Sequence, residues 1–376
     1  MRTTRIIFYT FFSLLASLSC QDSVSKQKDE IKRNLQQVAN WQIANFKYAS
    51  EGNLHDYGID SWTNAILYIG MSEWATIAGY NDACSDWLYD VGNTNKWKIP
   101  SNFSSSGRYS LYHADEICIG QFYLSMYDKY QEKQMLDPTL ERANWIMNNP
   151  PDPNMNAHAK QSWTWCDALF MAPPVYAHLA NISNDDAYLE FMDKEFRKTY
   201  LYLYDKENKL FFRDDSYFDK MEQNGQKVFW GRGNGWVAGG LVNLLKQLPK
   251  DSEYRPFYED LFKEFIPRLA ALQNQSGFWH ASLLDPDSYP APETSATALI
   301  TYAVAYGINQ GLLNKKGYTK VVDSAWNALL SVIDENGKLG YVQPIGADPK
   351  KVTCDMTAVY GVGVFLLAGC EIYKMN

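Results

Sequence analysis

Asp167 stands in the segment SWTWCDALFMAPP, between Trp163, Trp165 and Phe170 in an apolar run. A carboxyl buried among rings loses hydration in its charged form, and its pKa rises. A general acid working near neutral pH needs that property. The bland alternative is a first-turn acid favoured by the helix dipole. A second segment, YHADEICIGQFYLSMY, offers His113, Asp115 and Glu116. If Asp115 faces Asp167 across a pocket, the two carboxylates resist double ionisation and one keeps its proton. His113 reads either as a substrate contact or as a hydrogen-bonded histidine at a helix start. Glu116 is expected to point elsewhere, since adjacent helical residues lie about 100° apart. In FWGRGNGWVAGG, Arg232 and Trp236 are four apart and share one helix face. The guanidinium fork matches a carboxylate, and an indole beside it offers a stacking surface, so the pair suits an anionic sugar. GRGNGW lacks the GK[ST] of a phosphate loop and has no strand–helix context for a dinucleotide fingerprint.

These residues need elements that bring them together. The apolar pattern is helical throughout, with twelve helices predicted at about 26–47, 60–80, 81–93, 114–132, 137–149, 162–181, 184–204, 232–248, 252–274, 292–311, 315–336 and 355–374. One β-like patch, 209–213, interrupts them. Every second helix, such as SATALITYAVAYG, is apolar almost all round, whereas QKDEIKRNLQQVANW is amphipathic. A helix that is apolar on every side is buried. The pattern therefore predicts an all-α fold: six hairpins forming an (α/α)6 barrel, with an inner and an outer ring. Trp62, Asp115, Asp167, Arg232, Glu293 and Asp355 fall near the starts of the inner helices, 53, 52, 65, 61 and 62 residues apart. One hairpin separates each from the next, so all six are expected on one rim, where a pocket is the default site. Glu293 and Asp355 read equally well as helix caps.

Composition narrows the function. Aromatic residues make up 15%, with 12 Trp and 26 Tyr, enough for both a ring-filled core and a groove that stacks on sugars. Trp163 and Trp165 beside Asp167 are candidates for such stacking. The net charge of −8 and the absence of a basic run argue against nucleic acid as a partner. An acidic substrate would need a local cation. Arg2 and Arg5 precede an apolar run from Ile6 to Leu18 that ends in Ser19-Cys20. The run is too short to span a bilayer and reads as an export signal over 1–20, with lipid on Cys20 or ordinary cleavage nearby. The expected protein is periplasmic and lipid-anchored, with one catalytic domain over 26–376. Its oligomeric state cannot be read from the sequence. Five further cysteines (Cys84, Cys118, Cys166, Cys354 and Cys370) form no CxxC pair, so neither a disulfide framework nor a zinc site is expected.

Together, HADEICIGQFYLSMY, WTWCDALFMAPP, FWGRGNGW, PETSATALITYAVAYGIN and TAVYGVGVFLLAG resemble glycoside hydrolase family 105, the unsaturated rhamnogalacturonyl hydrolases, and the related family 88 of unsaturated glucuronyl hydrolases. The resemblance runs from about Asp60 to the C-terminus. It implies an (α/α)6 barrel without metal or organic cofactor, acting on an unsaturated oligosaccharide left by a polysaccharide lyase, of rhamnogalacturonan type or related. It implies Asp167 as general acid/base, Asp115 as its assistant, Arg232 and Trp236 as holders of the unsaturated uronate, and Trp62 as part of an aromatic wall. Two positions depart from the pattern: Gly231 where Ser is expected, and Arg213 in LFFRDD where some members carry His. A conventional two-carboxylate glycosidase on the same barrel and a non-catalytic sugar-binding lipoprotein are the alternatives. The apolar setting of Asp167 argues against the second.

Overall fold

The computed structural model describes residues 25–47, 57–79, 83–100, 111–150, 152–157 and 163–375. The export signal and Cys20 lie outside them. The helices are α1 (25–44), α2 (Trp62–Ala78), α3 (Ala83–Asn95), α4 (Ala114–Ile117), α5 (Gly120–Tyr130), α6 (Lys133–Asn148), α7 (Ala168–Met171), α8 (Pro173–Ser183), α9 (Ala187–Leu203), α10 (Gly231–Gln247), α11 (Arg255–Ala270), α12 (Thr294–Asn309), α13 (Lys315–Leu330) and α14 (Val359–Met375). Among the described residues, no helix is long and apolar enough to cross a membrane.

The difference between the two kinds of helix is visible residue by residue. In α12 every residue from Thr294 to Ile308 is buried, as an all-round apolar sequence demands. In α13 only Val322, Ala325, Trp326, Ala328 and Leu329 are buried, a stripe at helical spacing. Trp326 of that stripe stacks on Phe365 of α14 with ring centroids 5.2 Å apart. Each large apolar side chain so buried contributes about 1.5–3 kcal/mol. Helices α2, α5, α8, α10, α12 and α14 touch in that order, and α14 returns to α2, closing the inner ring. The closure is a backbone approach: a Cβ on Gly70 of α2 would fall 2.1 Å from the carbonyl oxygen of Gly363 on α14. Any larger residue at either position would pry the ring open.

Two predicted helices are divided. The one starting at Ala114 breaks at Cys118–Ile119 into α4 and α5. The one carrying Asp167 begins later than expected and breaks at Ala172, before Pro173-Pro174, into α7 and α8. Proline lacks the N–H for the helical ladder, and its ring crowds the preceding turn. The β-like patch is a hairpin: β1 (Tyr204–Asp205) pairs antiparallel with β2 (Leu210–Phe211) through a turn in which Lys209 has φ 55°. Cys84, Cys118, Cys166 and Cys370 are buried free thiols, and Cys354 is exposed.

Candidate active site

Asp167 occupies the N-cap position of the one-turn helix α7, not a place one turn inside a longer helix. Its backbone is helical (φ −57°, ψ −31°), and its side chain makes no capping hydrogen bond, so the carboxyl is left for other partners. Burial pushes its pKa up. The Arg213 charge pulls it down, Asp115 pushes it up, and Cys166 and Arg232 pull it down more weakly; it stays above the ordinary carboxylate value. The Cys166 thiol lies 3.4 Å from Asp167 Oδ1.

The opposing wall comes from α4. The Asp115 backbone N–H donates to His113 Nδ1 at 3.3 Å, and Asp115 Oδ2 lies 3.7 Å from the same nitrogen. The His113 ring packs on Trp165 with centroids 4.7 Å apart. His113 is thus the cap of α4 and also the link between the two carboxylate-bearing segments. The charges acting on Glu116 are those of adjacent Asp115, Arg142 and Asp60: burial, then the Asp115 charge, raise its pKa to about 7, with Arg142 opposing and Asp60 adding to the rise.

Arg213 enters the site through a relay of long-range bonds. Asn234, in the first turn of α10, accepts from the Phe211 N–H at 2.8 Å and donates to the Phe211 carbonyl at 3.0 Å, acting as a third strand for the β hairpin. Two residues on, the Arg213 carbonyl accepts from the Cys166 N–H at 2.9 Å. The guanidinium then lies over the Trp165 ring, 5.0 Å from its centre, and pairs with Asp214. Sequence reasoning treated residue 213 only as a departure from a pattern.

Arg232 is 1% exposed. Its Nη1 donates to the Gln343 carbonyl and, at 3.4 Å, to the Tyr360 hydroxyl, while Nη2 donates to the Pro344 carbonyl at 2.8 Å. The guanidinium is sandwiched at 4.6 Å from the Trp230 ring centre and 5.2 Å from that of Tyr360. Tyr360 stacks on Trp62 at 5.4 Å, and Trp62 meets the edge of Trp236 at 6.3 Å. Trp236, itself buried, packs on Phe170 at 4.9 Å and so joins this aromatic group to the Asp167 helix. The Gly231 departure has a steric cause: a Cβ there would lie 2.3 Å from the His280 carbonyl oxygen.

One residue expected to stack on sugar, Trp163, and two expected rim residues, Glu293 and Asp355, lie elsewhere. Trp163 is buried against Tyr176 and Phe191, and its carbonyl accepts from Thr199 on α9. Residues 163 and 164 lie outside any helix and Trp165 sits in a bend; of the two indoles, Trp165 meets the site, against His113 and Arg213. Glu293 is fully buried and caps α12: it accepts from the N–H groups of Ser295 and Ala296, and from that of Gln343. Asp355 sits in an exposed turn because α14 starts only at Val359.

The Glycosyl Hydrolase Family 88 model matches residues 22–376. The chain is 34% identical over 374 residues to an unsaturated 3S-rhamnoglycuronyl hydrolase of Alteromonas sp. (strain LOR), covering 92% of this chain and 86% of that one. It is 37% identical over 330 residues to a protein of the same name from Formosa agariphila, covering 84% and 85%. The solved structure of a glycosyl hydrolase family 88 protein from Bacteroides vulgatus matches with a TM-score of 0.81 at 30% identity, over 93% of this chain and 99% of that one. The helical barrel expected from the sequence is the fold of these proteins, and the chain is a glycoside hydrolase that belongs to glycosyl hydrolase family 88.

Proposed function

We propose that the protein removes a terminal 4,5-unsaturated uronic acid from a lyase-generated oligosaccharide, by hydrating the C4=C5 enol ether. The sugar next to the uronate is rhamnose in this reading, supported by the names of the two relatives above. The observation that carries the chemistry is one half-buried carboxyl of raised pKa, Asp167, set against Asp115 on the facing helix. Asp167 delivers its proton to C4, and positive charge develops at C5 and the ring oxygen. Water adds at C5, and its proton goes to the carboxylate that Asp167 has become, with Asp115 alongside. The C5 hemiketal opens to a ketone. The hemiacetal left at C1 then releases the neighbouring sugar, with no attack on the anomeric carbon. Trp62, Trp236 and Tyr360 supply the aromatic wall, and Trp165 and His113 the surface beside the acid.

The test is to incubate the protein with unsaturated uronyl-rhamnose oligosaccharides. Ultraviolet absorbance of the alkene should disappear as rhamnose ends are released. Asp167→Asn should stay folded and turn over at least about 100-fold more slowly, the low end for general acid/base groups. Sugar release with the absorbance intact would instead favour a conventional two-carboxylate glycosidase. The reading also includes one catalytic domain over 26–376 and export with lipid on Cys20; a Cys20→Ser protein should leave the membrane fraction of its host.

A further inference from the structure

Two arginines stand near Asp167, and they are not equivalent. Arg232 is closed off, with both Nη groups bonded to Gln343, Pro344 and Tyr360. Arg213 is one-fifth exposed. Among the described residues, Asp214 is the one hydrogen-bond partner its guanidinium has, through Nη1. Its Nε has no partner among the described residues, which is equally true of Arg232 Nε, so the two arginines differ in exposure and in their Nη groups.

The surroundings fix this guanidinium in place. The Trp165 ring lies beneath it. Asp214, whose other oxygen accepts from the Ser216 N–H at 2.9 Å, holds one end. The Arg213 carbonyl is tied to the Cys166 N–H. The exposed part of the guanidinium remains, a fixed cation with donors for the oxygens of an anion. It does so in a chain of net charge −8, where an acidic substrate gains nothing from the global field.

We propose that the exposed end of the Arg213 guanidinium is the anion-binding element of the substrate pocket, receiving an oxyanion of the bound oligosaccharide. Acidic polysaccharides carry two such groups, the carboxylate of the uronate and a sulfate ester on the neighbouring sugar. Both present oxygens in the spacing the fork requires. This rests on the unsaturated-oligosaccharide reading above and adds to it the residue that selects for charge. Because Arg213 also acts electrostatically on Asp167, its replacement changes both binding and the proton equilibrium, and the two must be separated.

The experiment compares the wild type with Arg213→Gln on four unsaturated uronyl-rhamnose disaccharides: with or without a sulfate ester, and with the carboxylate free or methyl-esterified. On the fully charged compound the variant should lose about 10- to 100-fold in kcat/KM, chiefly through KM. If the loss disappears on the methyl ester, the carboxylate is the partner; if it disappears on the unsulfated compound, the sulfate is. A loss that is the same on all four overturns the proposal. Should Arg213→Gln fail to fold, Arg213→Lys keeps the charge, loses the fork and carries the same comparison. Calorimetric binding to Asp167→Asn proteins with and without Arg213→Gln judges the contact without turnover. A wild type that binds these compounds through Arg213 yet leaves the alkene intact would sink the hydration reading alone. Equal affinity of the two Asn proteins for the charged disaccharide would sink the role of Arg213 alone.

Discussion

The thiol of Cys166 stands 3.4 Å from Oδ1 of Asp167, the residue next to it in the chain. Burial, then the Asp167 charge, push the Cys166 pKa well above its ordinary value, so the sulfur keeps its hydrogen and donates. An S–H group is a weak donor, but it acts here on a carboxyl that is partly desolvated. It favours the charged form of Asp167 and leaves Oδ2 as the oxygen free to carry the transferable proton. The thiol is held in place: the Cys166 N–H is bound to the Arg213 carbonyl, and a Cβ added at Gly233 would come within 3.2 Å of the sulfur.

Cys166→Ala removes that donor, so the Asp167 pKa should rise further. The acid must be protonated to act, and activity is present below its pKa and lost as pH rises through it. The alkaline limb of kcat/KM should therefore move to higher pH in the Ala protein. Cys166→Ser restores a donor and should bring the limb back. Superimposable pH profiles for all three proteins would remove Cys166 from the proton chemistry and leave it as packing.

The barrel was legible because its signal is repeated and local. All-round apolarity marks α12 and α14 as inner helices, and each stripe of spacing three and four marks an outer one. Asp167 was legible from its ring-rich neighbours. What escaped depends on contacts between distant parts of the chain. Arg213 reaches the acid only because Asn234, 23 residues away, pins the hairpin at Phe211. Arg232 is closed off by carbonyls 111 and 112 residues further on. Asn234 stands in FWGRGNGW and Phe211 in LFFRDD, but nothing in either motif shows that the two pair, and Gln343 and Pro344 lie in neither. The separate surroundings of Trp163 and Trp165 follow from the irregular segment before α7, which a helical reading over 162–181 hid.

Arg232 gives the next prediction. Its Nη groups satisfy the carbonyls of Gln343 and Pro344, and its plane is filled on both sides by Trp230 and Tyr360. Lysine keeps the charge but cannot reach both carbonyls in one plane. Arg232→Lys should therefore destabilise the protein by about 1–3 kcal/mol, the range for a buried polar group left unpaired. Its effect on catalysis should be independent of the substrate carboxylate: methyl esterification and Arg232→Lys should cost additive amounts in kcat/KM. A non-additive pair, with the ester indifferent to the substitution, would make Arg232 a direct contact to the uronate.

At the other end of the barrel, where the inner helices present their carbonyl ends, four charges meet. Lys246 in the last turn of α10 lies 2.7 Å from Glu371 of α14 and 3.7 Å from Glu73 of α2, and Lys374 lies 3.1 Å from Glu371. Cations suit helix C-termini, and two here balance two acids. Burial opposes the charged forms of Glu73 and Glu371, but Lys246 and then Lys374 outweigh it and hold both carboxyls below their ordinary values. Lys246→Met leaves Glu371, whose side chain is 2% exposed, with Lys374 as its cation and Asn309 as its amide donor. The loss should be about 3 kcal/mol near pH 7, since removing one partner strands a buried charge. The pH dependence follows from the lowered carboxyls. Their contribution is complete above the unfolded carboxylate pKa, about 4.3, and is lost as pH falls through the lower folded values. The stability gap between wild type and Lys246→Met, measured by urea unfolding, should thus be widest at neutral pH and narrow steadily below about pH 4. A gap of constant size from neutral pH down to acid would mean that the Lys246 side chain acts by filling space, and that its charge does not hold α2, α10 and α14 together.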